Sequence, residues 1–190
     1  MRGTIVLLTI LGVAALGPAA AAEDARLAAS RDIASGVQSA LKGELVQAMA
    51  TAGPVGAIAV CRTRAPVIAA QAGNAAGVRV SRTALRLRNP ANAPDEPSRA
   101  VLEQFSERLH AGAAPGQLEH FAPAPDGGAR FMTAIVMQSP CLACHGDNIA
   151  EPVRQALRDQ YPADAATGFA VGELRGAVVV DWPAGAEGAR

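Results

Sequence analysis

The stretch Ser139-Pro140-Cys141-Leu142-Ala143-Cys144-His145-Gly146-Asp147 restricts this chain more than any other part of it. Two thiols three residues apart, with an imidazole directly after the second, fall on one face of a helical turn. Zinc, a redox disulfide and a haem can each use such a set. A zinc site needs two further nitrogen or sulfur ligands, and Cys61, His110 and His120 come singly, without a second closely spaced pair. A thiol-disulfide oxidoreductase places Cys-x-x-Cys after a strand and tunes it with the residues between; Leu142-Ala143 offers no such tuning. In haem attachment, Cys141 and Cys144 form thioethers with the two vinyl groups and His145 becomes an axial iron ligand, the pattern by which c-type haem is recognised in a sequence. Gly146 then lets the chain turn away. One covalent haem c is the expectation.

The amino terminus agrees with that chemistry. Arg2 precedes an apolar run from Ile5 to Leu16, and Pro18 leads into Ala20-Ala21-Ala22 before Glu23. This reads as a signal peptide over residues 1–22, too short for a spanning helix, and predicts a periplasmic or secreted protein with no membrane anchor after processing. Without Arg2 the chain holds 16 basic against 17 acidic groups, which argues against a nucleic-acid partner. Three cysteines are too few for a disulfide framework and leave Cys61 over. Six aromatic residues are few for a core of this length, a gap that a large apolar cofactor would help to fill.

Along the mature chain, Leu27, Ile33, Val37, Leu41, Leu45 and Met49 recur at helical spacing over Glu23 to Ala50. Gly53-Pro54 interrupts the run, and a second helix with Cys61 in its first half should kink at Pro66. Residues 78–88 alternate as a strand with a break near Thr83, and Ser98 to His110 returns to helix. Leu118–Ala122 and Arg130–Met137 flank a glycine turn as a hairpin. A short helix over Glu151–Gln160 and a β-branched strand over Leu174–Trp182 complete one domain, 23–182, with residues 183–190 as a disordered tail. The class is α+β with an antiparallel sheet.

The second axial position is open to Cys61, His110, His120, Met49, Met132 or Met137. Thiolate would lower the potential and methionine raise it. Cys61 is the best single candidate, because an unpaired thiol in an exported chain wants a ligand, although a small buried hydrophobe is the other way to use it. Of the arginines at 79, 82, 86 and 88, Arg82 and Arg88 are the better candidates for haem propionates.

The stretches "VCRTRAP", "GVRVSRTALRLRNPANAPDE", "CLACHGD", "YPADAATGF" and "GELRGAVVV" together resemble a bacterial haem-c-binding family of unassigned function. Its members occur as exported single-domain proteins or as sensor regions of histidine kinases. The resemblance implies a PAS-like antiparallel sheet with N-terminal helices packed on it, and iron held by His145 and Cys61. It also implies a redox or diatomic-gas sensing module, with a periplasmic electron carrier as the alternative and a gas or a redox protein as the further partner. No distal acid-base motif of an enzyme is present. On this reading an apolar cavity between Cys61 and His145 marks the place of the haem.

Overall fold

The computed structural model describes residues 18–186; the expected leader up to residue 17 and the last four residues lie outside the described residues. Its longest element, α1 (Pro18–Ala59), bends at Gly53 (φ 66°, ψ −176°), just before Pro54. A side chain is disfavoured at that positive φ, and proline cannot donate the helical hydrogen bond, so the sequence Gly-Pro sets the bend. The helix then widens into one π-helical turn, Val60–Arg64, where the Ala65 N–H reaches back to the Val60 carbonyl. Pro66 explains the widening: in a regular helix its ring would press on the carbonyl of Arg62, and the wider turn relieves that contact. Helix α2 (Ala65–Ala76) follows.

Four antiparallel strands form the sheet: β1 (Arg79–Thr83), β2 (Glu119–Pro123), β3 (Ala129–Val136) and β4 (Leu174–Trp182), in the order β1-β4-β3-β2. The alternation of β4 supplies both cores. Val178, Val180 and Trp182 face α1 and α2, where they meet Ala34, Val37, Ile68 and Phe131. Ala177 and Val179 face α3 (Glu96–His110), against Leu102, Phe105, Leu118 and Met132. Burial of Phe105 and Phe131, 0% and 1% exposed, is worth roughly 1.5–3 kcal/mol each. On the helical side Trp182 donates through Nε1 to the buried Ser30 hydroxyl at 2.8 Å, so the one polar atom of the indole is satisfied. By length and mean hydropathy the helical run Ala20–Ala76 would also reach across a bilayer, but Ala34, Val37, Ile68 and Ala69 are spent on the sheet.

The α+β class and the antiparallel sheet expected from the sequence are present. The break expected near Thr83 is where β1 ends, and the strand does not resume over residues 84–88 because the Asn89–Asn92 loop folds back on it. The Asn92 carbonyl accepts from both the Thr83 hydroxyl (3.0 Å) and the Ala84 N–H (3.4 Å). Residues 183–186, the first half of the expected tail, form a turn whose Ala186 carbonyl accepts from Arg26 Nε at 2.8 Å.

Beyond the sheet lie two smaller clusters. Ile58 of α1 packs with Ile149 and with Val153, Leu157 and Tyr161 of and after α5 (Glu151–Gln160). Met137, Ala166 and Phe169 form the other. Both clusters border the cysteine motif.

Asp95 caps α3, its carboxylate accepting from the Ser98 N–H at 2.9 Å and pairing with Arg130, which also binds Asp181 of β4. The Arg130 guanidinium, with Ser98, holds the Asp95 carboxyl down at about 2. A depressed carboxylate stabilises the fold above its unfolded pKa and loses that contribution as pH falls through the folded one, here between about 4 and 2. Asp95→Ala should therefore cost about 1 kcal/mol at pH 7 in urea unfolding, with Asp95→Asn milder because it keeps a cap. The gap between wild type and Asp95→Asn should close as pH approaches 2.

Candidate functional site

Pro140 starts a tight turn at Ser139–Cys141 that runs directly into α4 (Leu142–His145), and Gly146 ends it with its N–H on the Leu142 carbonyl at 3.0 Å. Cys141, Cys144 and His145 thus share one short turn, as the spacing predicts. All three cysteines of the chain stand as free thiols. Cys141 packs with Met137, Ala166 and Phe169, and Cys144 packs with Ile58 and the α5 cluster. The segment Asp164–Phe169 lies alongside: the His145 carbonyl accepts from the Phe169 N–H (2.9 Å) and the Gly146 carbonyl from the Gly168 N–H (3.0 Å).

The polarity of the His145 ring follows from its two neighbours. Nδ1 lies 2.7 Å from the Ala166 carbonyl and Nε2 lies 3.3 Å from Arg88 Nη1. A guanidinium only donates, so Nε2 must accept and Nδ1 must carry the proton that goes to Ala166. Burial pushes the ring pKa down to about 3, and Arg175, Arg88 and Arg82 add to the effect. His145 is therefore a neutral imidazole at physiological pH, with its lone pair on Nε2.

Arg88 holds this arrangement together. It is 7% exposed. Its Nε donates to Asp164 Oδ2 at 3.1 Å, and Nη2 donates to the carbonyls of Cys144 and Ala166. Asp164 in turn accepts the Ala166 N–H at 2.8 Å through Oδ1. A carboxylate and a guanidinium thereby fix both backbone polar groups of Ala166, the residue whose carbonyl orients His145. The donors expected for a propionate at Arg88 are spent on the chain itself.

Cys61 sits in the π-helical turn, three residues after the Ile58 that packs beside Cys144, which places the thiol at the same end of the sheet as the motif. The other candidates for the second axial position lie elsewhere: Met132 is 0% exposed under α3, and the His110 ring bonds the Ser106 carbonyl at the end of that helix. His120 is on β2, and Met49 is on α1 before its bend. Met137 borders the motif, packed against Ala166 and Phe169. Among the described residues, no three His, Cys, Asp or Glu side chains gather as a metal site.

A cleft of about 300 Å³ opens beside the motif, walled by Gly146, Ile149, Leu157, Tyr161 and Asp164 among others. Neither Cys61 nor His145 is on its wall, so it is not the cavity expected between them; the Arg88 guanidinium fills the space at His145 Nε2.

Arg82 and Arg175 complete the surroundings. Burial lowers the pKa of both, that of Arg175 to about 10 with repulsion from Arg88 and Arg82 added. Phe169 lies edge-on to the His145 ring, 6.2 Å between centroids, with the Arg86 guanidinium 3.8 Å over its face. Sequence reasoning missed Asp164, Ala166, Phe169 and Arg175. Only the lone "YPADAATGF" stretch, polar turns around one aromatic residue, hinted at the first three.

Because the Arg88–Asp164 pair is about nine-tenths buried on both sides, removing one partner strands a charge. Arg88→Ala should cost about 3–5 kcal/mol in chemical unfolding, with Arg88→Met/Asp164→Leu recovering much of the loss.

Comparison with known proteins brings these features under one family. The family model described as Tll0287-like matches residues 18–183. A solved structure, the crystal structure of the cyanobacterial heme-protein Tll0287, superposes with a TM-score of 0.62 at 25% identity, covering 92% of this chain and 100% of that one. No curated protein matches. With nearly the whole described chain inside the family model, the protein belongs to the Tll0287-like family.

Proposed function

We propose that this protein is an exported c-type haem protein with Cys/His axial ligation, serving as a redox or diatomic-gas sensing module. The observation that carries the reading is the polarity of the His145 ring. A metal-binding imidazole characteristically donates its far N–H to a carbonyl, which fixes the tautomer and makes the other nitrogen a better ligand. His145 does this through Ala166, and burial among three arginines keeps it unprotonated. Two unbonded thiols on the same turn supply the matching attachment points. The heme-protein character of the solved neighbour and the family membership support the same conclusion.

The residue roles follow. Cys141 and Cys144 provide the two thioether sulfurs of a single haem, His145 Nε2 provides one axial nitrogen, and Cys61 provides the opposite sulfur. For that, Arg88 Nη1 must give up its contact with Nε2 while its other donors keep Asp164 and the two carbonyls in place. The haem supplies an iron centre that exchanges one electron and can take a diatomic ligand. The chain sets how readily it does so: thiolate donation from Cys61 lowers the potential, and the hydrogen bond to Ala166 strengthens the imidazole. Residues 1–22 act as the leader that carries the chain to the compartment where the thioethers are made, leaving 23–182 as the working domain.

The place of Cys61 favours sensing over simple electron carriage. It stands on the one widened turn between α1 and α2, and both helices pack on the sheet. Loss of the sulfur ligand would free that turn to relax, and the movement would reach the sheet through Ile68 and Ala69.

The haem should survive denaturation: the purified mature chain is expected to run one haem heavier than its amino acids, with a c-type pyridine haemochrome, and Cys141→Ala/Cys144→Ala should abolish both. Carbon monoxide added to the reduced protein should displace Cys61 and give the spectrum of a His/CO haem. If both ligands persist under the gas and the voltammogram is reversible, the electron-carrier role holds instead. Cys61→Ala should keep the covalent haem while raising the midpoint potential.

A further inference from the structure

We propose that Arg175, the extra residue of a β-bulge, joins Arg82 in a cationic clamp for a pair of carboxylates, the two propionates of the haem. The inference rests on the haem reading and assigns it a binding residue outside the motif. In the pairing of β3 with β4, Ile135 stands opposite Gly176 and Val136 opposite Leu174, so Arg175 has no partner of its own. Leu174 and Ala177 both pack toward α3 although they are three positions apart. Regular alternation would put them on opposite faces, so the bulge inverts the pleat and turns Arg175 toward the α1/α2 face. Arg82 is on that face too, since it stands opposite Val178, whose side chain packs with Ile68 and Phe131. Bulges are a recurrent means of re-aiming one side chain at a site. This one requires glycine next to it: Gly176 has φ 159°, and a Cβ there would lie 2.4 Å from the Thr83 carbonyl oxygen of β1.

Charge identifies the ligand. Arg82 and Arg175 stand on adjacent strands at the end of the sheet where Arg88 holds Asp164. Asp164 is already bound to Arg88. Among the described residues, Arg82 makes no salt bridge or side-chain hydrogen bond, and Arg175 has only the Arg86 carbonyl at 3.1 Å and the face of Phe169 at 5.7 Å. Two half-buried guanidiniums without a carboxylate are costly unless an anion meets them. Two propionates bring two negative charges, and a guanidinium fork is suited to carboxylate.

The test uses the holoprotein and its Arg82→Gln and Arg175→Gln variants, with Arg79→Gln as a surface control. Haem content by pyridine haemochrome should be unchanged, because the thioethers hold the group. The propionate bending modes in resonance Raman should shift in both variants. The ferric-to-ferrous ratio at a fixed potential should rise about tenfold per cation lost, equivalent to 59 mV for one electron. Should a Gln variant fail to accumulate, the Lys variant replaces it, with a smaller shift of the same sign expected. Unchanged Raman modes in variants that carry full haem would overturn the clamp while leaving the haem reading intact. Absence of haem from the wild type would instead overturn the haem reading. Inorganic phosphate added to the wild type should leave its potential unmoved; a saturable shift with silent propionate modes would assign the arginines to a free anion and overturn the clamp.

Discussion

The ion pair between Arg88 and Asp164 is the contact on which the site depends. It is buried on both sides, and it joins three segments that are far apart in sequence: the loop after β1, the cysteine turn and the run from Tyr161 to Phe169. A buried pair of this kind is poor evidence of added stability, since desolvation consumes most of the attraction. Its worth here is geometric. Asp164 takes the N–H of Ala166, Arg88 takes the carbonyl of the same residue, and that carbonyl takes the proton of His145 Nδ1. The imidazole is thus oriented by a residue whose backbone N–H and carbonyl are both held.

The surrounding charge acts in the same direction. Burial, and then the three guanidiniums nearby, make protonation of the imidazole unfavourable, so the ring stays neutral well below neutral pH. The cost is an excess of positive charge in a poorly solvated place, which a chain of near-zero net charge carries at one end of its sheet. The proposed haem would bring a metal for the imidazole and anionic groups for the arginines together.

Much of this was legible in the residues, and the remainder was not for identifiable reasons. Cys141, Cys144 and His145 lie within five residues, so local helical geometry alone brings them together. The helices, the hairpin and β4 follow from periodicity, which tertiary contacts here reinforce. The break near Thr83 was legible, but Leu85 and Leu87 carry the alternation past it where no strand resumes; the strand stops where Asn92, nine residues on, captures Thr83 and Ala84. The pairing of Arg88 with Asp164 could not be foreseen, since the two are 76 residues apart and no periodicity connects them. Arg175 was invisible for a subtler reason. Its orientation depends on a bulge, and one inserted residue reverses every inference drawn from a period of two.

The shortage of aromatic residues looked like room left for a cofactor, and the structure places that room differently. Both faces of the sheet are closed by Val, Ile, Leu and Met around Phe105, Phe131 and Trp182, and alanines at 34 and 69 bring α1 and α2 close to it. That half of the molecule is complete without any added group. Tyr161 and Phe169 lie instead at the other end, with the cysteines, the arginines and the π-helical turn. The division has a mechanical consequence. A well-packed sheet resists continuous deformation, so a change at Cys61 would be taken up by the turn at Val60–Arg64 and passed along α1 and α2 as rigid bodies. The bend at Gly53-Pro54 separates the last turns of α1 from the part that packs on the sheet through Ala34 and Val37. Of the two helices, α2 reaches the sheet sooner, through Ile68 and Ala69 just past the π-helical turn and Pro66, which makes it the shorter path from the thiol to the core.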